Sequence, residues 1–290
     1  MLLMLTPVAA SAADPVPPAP QPEPPAKELR WNEDWPRFRP VEYVVTGVVG
    51  PAAIVEYILL PGQRTPHWTG GNAFDDSIRN AVRLRSSSAL AVAWTAADVV
   101  GVSVVVLAVG VDSLLVPLLR GSPDVAWQLT LMSLESYALS SLVSITLYDT
   151  VGRSRPSYGD CQGNPSANTD CHISPTDSFP SGHTNEAFTA AGLSCAHHAQ
   201  LPIYGSRLAD ALACARDLGL ATSDGVLRLM GDRHYATDVL TGAAIGFGFG
   251  FGLPMLLHYG GGAEHSALAR LMVSPMLSGG AVGLVAAGPF

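Results

Sequence analysis

The chain has 290 residues, of which 48% are hydrophobic and only 14% charged, whereas soluble domains carry about 25% charged residues. One large domain with tails fits this length, and the composition favours a protein of the cell envelope. The net charge of −8 argues against nucleic acid or an anionic lipid surface as a bulk electrostatic partner, and no segment indicates a protein partner.

The first forty residues predict a leader and a spacer. Residues 1–12 are apolar and end in the small residues Ala10-Ser11-Ala12, as in a secretory signal, although no basic residue precedes the apolar run. The alternative is a disordered apolar tail. Residues 13–40 form a Pro-rich linker followed by an amphipathic lead-in with Trp31 and Trp35. This lead-in is expected to cap the domain or to lie at a membrane surface.

Six hydrophobic segments of helical length predict a helical domain over residues 41–260. They lie near 41–60, 89–118, 125–148, 183–199, 207–224 and 235–258. Residues 99–118 and 236–257 are long enough to span a bilayer, and internal charges in the other segments favour the interior of a bundle. The glycines between Gly246 and Gly252 suit close helix packing. The expected fold is all-α, a bundle of about six helices embedded in a membrane.

Three short segments in the second half carry the candidate chemistry. Arginine side chains bind phosphate through paired N–H groups, and a turn that opens a helix offers free backbone N–H groups to an anion. A histidine four residues before an aspartate shares a helix face with it. A phosphate pocket with a histidine nucleophile and a histidine acid is therefore predicted from Gly152–Pro156, Pro180–His183, Arg228, His234 and Asp238.

These ordered motifs resemble those of the type 2 phosphatidic acid phosphatase superfamily, which also contains bacterial class A acid phosphatases and vanadium haloperoxidases. The family pattern is Lys, six residues, Arg-Pro; then Pro-Ser-Gly-His; then Ser-Arg, five residues, His, three residues, Asp. The resemblance covers roughly residues 90 to 258 and points to a bacterial envelope phosphatase. Two positions depart from the pattern: Tyr148 stands for the lysine and Leu227 for the serine.

The resemblance implies a metal-independent phosphatase, without a cofactor, whose active site lies at one end of the bundle. His234 would attack phosphorus and become a phosphohistidine, Asp238 would orient its imidazole, and His183 would protonate the leaving oxygen. The partner would be a phosphorylated lipid if the bundle is embedded, or a small phosphomonoester if it is soluble. The expected phosphate-binding groups are Arg155, Ser181, Gly182 and Arg228.

The absent lysine leaves alternatives open. The only lysine is Lys27 in the linker, so Arg153 is a candidate for the missing charge and Tyr148 for a hydrogen bond to phosphate. The alternatives are a soluble periplasmic acid phosphatase, a non-catalytic anion-binding membrane protein, which Tyr148 motivates, and a vanadium-dependent haloperoxidase.

The four cysteines fit an exported protein. Cys161 and Cys171 flank a polar loop and are expected to form a local disulfide in an oxidising compartment, with two free buried thiols as the alternative. Cys195 and Cys214 lie on consecutive helical segments, where either a second bridge or two free buried thiols would fit. The expected location is the inner membrane, with the active site facing the periplasm, or the periplasm itself.

The C-terminal residues 261–290 form a Gly-rich apolar tail. A turn near Ser278 to Gly280 predicts either a hairpin or a loose tail.

Overall fold

The computed structural model describes residues 28–59, 65–163 and 176–260, and the backbone of two strands near the C terminus. The predicted leader, the Pro-rich linker up to residue 27 and Cys171 lie outside these residues. Within the described part the chain forms eight helices. They are α1 Pro40–Leu59, α2 Ala73–Val82, α3 Ser87–Leu119, α4 Pro123–Val151, α5 Tyr158–Gly163, α6 Gly182–Gln200, α7 Arg207–Met230 and α8 Ala236–Tyr259.

The fold is all-α, as the sequence predicts. The six predicted segments coincide with α1, α3, α4, α6, α7 and α8. The helix α7 continues to Met230, so Arg228 lies in its last turn rather than in a loop. Two short helices were not predicted. The first of them, α2, begins at a capping box in which Asn72 and Asp75 bond each other's backbone N–H groups at 2.9 and 3.3 Å.

The C-terminal tail contains an antiparallel hairpin of β1 Met272–Ser278 and β2 Ala281–Ala287. The register pairs Ser278 with Ala281 and Met272 with Ala287. The hairpin alternative is therefore the one that the structure adopts.

Two helices are long and apolar enough to cross a membrane. They are α3, with 33 residues, and α8, with 24 residues, and they include the two segments that the sequence predicts to span. Each contains π-helical turns, at Val106–Leu115 in α3 and at Gly248–Gly252 and Met255–Tyr259 in α8. Two such helices are weak evidence of membrane association, since the core helix of a soluble protein has the same length and composition.

The helices α6 and α8 approach closely because α8 presents glycines to the backbone of α6. A β-carbon added at Gly242 would overlap the carbonyl oxygen of Ser181, and one added at Gly246 would overlap that of Asn185. Gly250 repeats this relation one turn later. Of the glycine run singled out in the sequence, Gly246 and Gly250 therefore make the expected close packing, whereas nothing lies within 4 Å of a β-carbon at Gly248 or Gly252. The contact brings the start of α6 against the start of α8.

We expect Gly246→Ala to destabilise the protein by about 1–3 kcal/mol, because the added methyl group has no room between two backbones. Gly248→Ala is the matched control, since nothing lies within 4 Å of a β-carbon at Gly248 and alanine is the better helix former. Thermal unfolding of both variants in detergent checks this prediction. Equal melting temperatures would show that α6 and α8 do not depend on this contact.

The amphipathic lead-in packs as a cap on one end of the bundle. Trp31 and Phe38 are buried in a cluster with Leu129 and Tyr259. Ser122 and Gln128 at the start of α4 also hold the lead-in, because Ser122 Oγ donates to Leu29 O at 2.5 Å and Gln128 Oε1 accepts from Phe38 N–H at 2.8 Å. Of the two alternatives for this segment, the structure therefore shows the cap.

A disulfide joins Cys195 in α6 to Cys214 in α7, with Cα atoms 4.5 Å apart. The bridge alternative is therefore the one found for this pair, and the free-thiol alternative is wrong. Cys161 is also disulfide-bonded, and its pairing with Cys171 stays a prediction because Cys171 lies outside the described residues.

Candidate active site

The three motif segments meet at one end of the bundle. The Ser181 N–H at the start of α6 donates to Asp238 O in α8 at 3.0 Å, and the Ser178 N–H donates to Arg153 O at 3.2 Å. Arg155 Nη1 donates to Arg233 O, in the turn between α7 and α8, at 3.2 Å. These bonds connect residues that lie far apart in the chain, so the predicted site residues share one location.

His234 is held through its Nδ1 atom, which lies 2.8 Å from the carbonyl oxygen of Ser178. A carbonyl only accepts, so the hydrogen is on Nδ1 and the lone pair is on Nε2. The Oδ2 atom of Asp238 is 3.9 Å from Nδ1, which is too far for a hydrogen bond. Asp238 Oδ2 instead accepts from Ser178 Oγ at 2.7 Å and from Tyr235 N–H at 2.8 Å. Asp238 therefore positions the imidazole through Ser178 and not by the direct bond expected from the sequence.

The surroundings keep His234 neutral. Its side chain is only 3% exposed, and burial, together with the charges of Arg155 and Arg228, lowers its pKa well below the usual value. Both effects disfavour a second proton on the ring. A buried, neutral imidazole with a bare Nε2 is the form that a nucleophile requires.

Of the two candidate catalytic histidines, His183 is the exposed one, with 58% of its side chain accessible. Desolvation and the Arg228 charge lower its pKa to about 4, whereas Asp98 opposes this shift. The Nε2 atom of His183 lies 3.9 Å from Asp98 Oδ1. An anion in the pocket would favour the protonated ring in the same way, so a bound phosphate would prepare His183 to donate a proton.

Arg228 is buried and is fixed by two carboxylates. Its Nη2 donates to Asp98 at 2.7 Å and its Nε donates to Asp224 at 3.2 Å. The Nη1 atom has no hydrogen bond among the residues that the structure describes and remains available to a phosphate oxygen. Asp224 also accepts from Thr184 at 3.3 Å, and Thr184 shares a hydrogen bond of 2.9 Å with Ser181. The Ser181 hydroxyl therefore belongs to the network that fixes Arg228.

Comparison with known proteins agrees with this geometry. A sequence model described as the PAP2 superfamily matches residues 129–260. This part of the chain is similar to the PAP2 superfamily. The match contains the three motif segments, and the superfamily suggests phosphatase activity on phosphate esters. Searches of curated proteins and of solved structures give no match.

Tyr148 occupies the position of the PAP2 lysine, and it faces the pocket. Its phenol oxygen lies against the backbone of Gly182, where a β-carbon would overlap it. In this chain, the first residue of α6 therefore has no room for a side chain beside Tyr148. The positive charge of Arg155 also acts electrostatically on the Tyr148 phenol. The residue therefore contacts Gly182, lies near enough to Arg155 for an electrostatic interaction, and provides a neutral hydroxyl where the family has a charge.

Arg153 does not supply the missing charge to the pocket. Its guanidinium makes five hydrogen bonds, which go to Asp75, Asp238, Thr237 and twice to Gly70 O. An arginine has five N–H donors, so none remains for phosphate. The side chain is fully buried, and its Cζ lies 3.9 Å from the centre of the Trp68 ring and 4.1 Å from that of Tyr235. The role of phosphate-binding auxiliary proposed for Arg153 is therefore replaced by a structural one.

The sequence did not identify the partners that position the PAP2 motif residues. Ser178 makes hydrogen bonds to both His234 and Asp238. Asp98 accepts a hydrogen bond from Arg228 and lies 3.9 Å from His183. Asp75 and Asp238 both form ion pairs with Arg153. Ser178 lies two residues before the Pro-Ser-Gly-His motif, and this proximity was the only signal for it. Asp75 and Asp98 come from helices outside the matched segment, so no motif spacing relates them to the site.

We expect Tyr148→Lys to strengthen the binding of phosphate or vanadate about tenfold or more, because one charge-assisted hydrogen bond contributes roughly 1.5–3 kcal/mol. Tyr148→Phe, which removes only the hydroxyl, is the control for the change of shape. The measurement is the vanadate inhibition constant of each variant. An unchanged constant in Tyr148→Lys would show that residue 148 does not reach the anion.

Proposed function

We propose that the protein hydrolyses a phosphorylated lipid, either a lipid phosphate monoester or a lipid pyrophosphate. The reaction proceeds through a phosphohistidine at His234. The observation that carries the proposal is the anchored Nδ1 of His234, which leaves Nε2 bare beside the charges of Arg155 and Arg228. Arginines that face the position of a transferring phosphoryl group stabilise the charge that develops there.

In the first half of the reaction, Nε2 of His234 forms a bond to phosphorus as the bond from phosphorus to the leaving oxygen breaks. His183 gives its proton to that oxygen. Arg155 and Arg228 Nη1 hold the phosphoryl oxygens. The Gly182 N–H at the start of α6 bonds the Tyr148 hydroxyl, which can in turn donate to a phosphoryl oxygen. The phosphorylated imidazole is cationic because Nδ1 keeps its hydrogen, and Asp238 at 3.9 Å stabilises this charge.

In the second half, water attacks the phosphohistidine from the side that the alcohol has left. His183, now neutral, takes a proton from this water, and the bond between phosphorus and Nε2 breaks. Phosphate leaves and the lone pair returns to Nε2. No step uses a metal ion, because the arginines supply the positive charge.

An apolar groove whose lining includes Leu227, the neighbour of Arg228 in the chain, favours a lipid substrate. The groove has a volume of about 430 Å³ and lies between α3 and α7, where Leu84, Val92, Leu227 and Met230 are among its lining residues. Leu227, which stands in place of the family serine, directly precedes Arg228. A hydrocarbon chain in this groove would start next to the phosphate-binding arginine.

The outer faces of the helices support a membrane location for this reaction. Large apolar side chains are more than half exposed on both α1 and α3, among them Val44, Val48, Ile58, Val92, Val99 and Val102. Soluble monomers rarely expose contiguous apolar patches larger than a few hundred Å². The disulfide between Cys195 and Cys214 fits an oxidising compartment. We therefore place the protein in the cell envelope, in the inner membrane with the pocket facing the periplasm.

The pKa shifts predict an acidic optimum. His234 remains a neutral nucleophile below pH 6.5 because its pKa is lowered, and the protonated fraction of His183 increases as the pH falls toward its pKa of about 4. We expect kcat/KM for an alkyl phosphate to rise as the pH falls from 7 to 5. The His183→Ala variant should lose this rise, and its deficit should shrink with an aryl phosphate, whose leaving group needs no proton. An optimum above pH 7 would contradict these roles.

Hydrolysis of three substrates tests the function: phosphatidate, a polyprenyl pyrophosphate and a soluble aryl phosphate, each with and without vanadate and a chelator. We expect a lipid to be preferred, vanadate to inhibit and the chelator to leave kcat unchanged. Val92→Gln in the groove should raise KM for the lipid only, whereas Val102→Gln, equally exposed on α3 but outside the groove, is the control.

Each alternative gives a different result in this assay. A preference for the aryl phosphate, with no effect of Val92→Gln, would indicate a soluble phosphomonoesterase. Vanadate binding without hydrolysis would indicate an anion-binding protein, and halide oxidation with vanadate would indicate a haloperoxidase.

A further inference from the structure

Three buried side chains that commonly bind metal ions converge far from the phosphate pocket. They are Glu42 in the first turn of α1, Glu135 in α4 and His258 in the last turn of α8, and their ligand atoms all lie within 4.8 Å of one another. At 1.5 Å per residue, Glu135 is about 20 Å from Tyr148 along α4, and His258 is about 30 Å from Asp238 along α8. The cluster therefore lies toward the opposite end of the bundle.

His258 has a nitrogen that points into this cluster without a partner. The residue is 1% exposed, and its Nδ1 lies 3.3 Å from the carbonyl oxygen of Pro36, which puts the hydrogen on Nδ1 and the lone pair on Nε2. Nε2 makes no hydrogen bond within the described residues. Leaving such a buried polar atom unsatisfied costs about 1–3 kcal/mol, so this nitrogen requires an explanation.

The distances fit an ion between the three groups. Nε2 of His258 is 3.8 Å from Glu42 Oε1 and 3.9 Å from Glu135 Oε2, which is too long for a hydrogen bond. Two ligands that each lie roughly 2.1 Å from one ion are at most about 4.2 Å apart. Both separations are inside this limit, and the ligand atoms of Glu42 and Glu135 lie within 4.8 Å of each other, so small side-chain movements would let a single cation contact all three atoms.

The charges and the second layer of contacts also fit an ion. Two carboxylates are buried here, and Arg39 compensates that of Glu42. Its Nε, at 3.0 Å, and its Nη2 donate to Glu42 Oε1, and its backbone N–H donates to Glu42 Oε2. One negative charge remains without a compensating cation on a neighbouring arginine. Metal-binding histidines usually donate their other N–H to a carbonyl, and ligating carboxylates are usually hydrogen-bonded. The Pro36 carbonyl and Arg39 fill these two roles.

We propose that Glu42, Glu135 and His258 bind one divalent transition-metal ion, of which Zn²⁺ is the best match to one imidazole and two carboxylates. The ion joins the start of α1 to α4 and α8, and so fixes the lead-in on the end of the bundle. It takes no part in phosphate chemistry at the opposite end. The site was not visible in the sequence, because its three members are separated by long stretches of other helices.

Titration of the full chain in detergent with Zn²⁺, after dialysis against a chelator, tests this site. We expect one bound ion per chain and a melting temperature several degrees higher with Zn²⁺. His258→Gln and Glu135→Gln should each weaken binding about 100-fold or more. Glu56→Gln, on the same helix as Glu42 but outside the cluster, should bind like the natural protein.

Cobalt provides a readout that does not depend on any variant folding. Co²⁺ added to the chelator-treated natural protein should give visible absorption bands of a nitrogen and oxygen site, and one equivalent of Zn²⁺ should remove them. The absence of both the bands and the thermal shift would overturn the proposal, and so would equal Zn²⁺ affinity in His258→Gln. Full Zn²⁺ binding by His234→Ala would show that the ion site is independent of the phosphate pocket.

Discussion

Replacing His234 by alanine is expected to reduce kcat by at least about 10⁴-fold, the range seen when a nucleophile that acts with its partners is removed. The variant keeps Arg155, Arg228 and His183, so it should still bind phosphate. It lacks the Nε2 atom that would form the bond to phosphorus. Steady-state hydrolysis of the preferred substrate and vanadate binding, measured on the same preparation, check both halves of this expectation.

The control separates loss of chemistry from loss of fold. His234→Ala removes the hydrogen bond to Ser178 O and leaves that carbonyl without this partner, which costs about 1–3 kcal/mol, so its melting temperature should fall by several degrees but the variant should stay folded at the assay temperature. His67→Ala changes an exposed histidine and should retain full activity. Activity in His234→Ala within tenfold of the natural protein would exclude His234 as the nucleophile.

Replacing Arg153 by methionine is expected to cost about 3–5 kcal/mol of stability, because it leaves the carboxylates of Asp75 and Asp238 buried without their charged partner. Arg153 bonds these groups at 2.6 Å each. Activity should also fall, because Asp238, which loses its bond from Arg153, positions His234 through Ser178. Thermal or denaturant unfolding gives the stability change.

Arg30→Met is the matched control for this substitution. Arg30 pairs with Glu28 on the surface, where the two side chains are 76% and 71% exposed, and such pairs contribute little. Adding Asp75→Asn to Arg153→Met should recover part of the lost stability by removing one unpaired charge. A loss below about 1 kcal/mol in Arg153→Met, or no recovery in the double variant, would show that the ion pairs do not stabilise the fold.

The local properties of the sequence predicted the helices well. Hydrophobic segments of the right length located six helices to within a few residues at most ends, because burial in a bundle and helix length leave a direct pattern. Gly246 and Gly250, from the run singled out in the sequence, also mark the close contact between α6 and α8, whereas Gly242 was not identified. The short helix α2 was missed since its signal is a capping box, with Asn72 and Asp75, and not an apolar stripe.

The long-range contacts of the site could not be predicted in the same way. The motifs place Arg153 two residues before Arg155, and this proximity suggested a phosphate ligand. Its side chain instead points to Asp75, a residue on a helix with no motif. Asp98 and Ser178 entered the site through tertiary contacts that no sequence spacing encodes. The same reason explains why Glu135 and His258 gave no sign of a shared cluster.

Trapping the covalent intermediate is the most direct test of a phosphohistidine at His234. The protein is mixed for milliseconds with a substrate labelled with phosphorus-32, denatured in alkali, where phosphohistidine survives, and digested. We expect the label on the peptide that contains His234, and we expect acid to remove it. The His234→Ala variant should carry no label. Label on another residue, or normal turnover without any labelled protein, would contradict it.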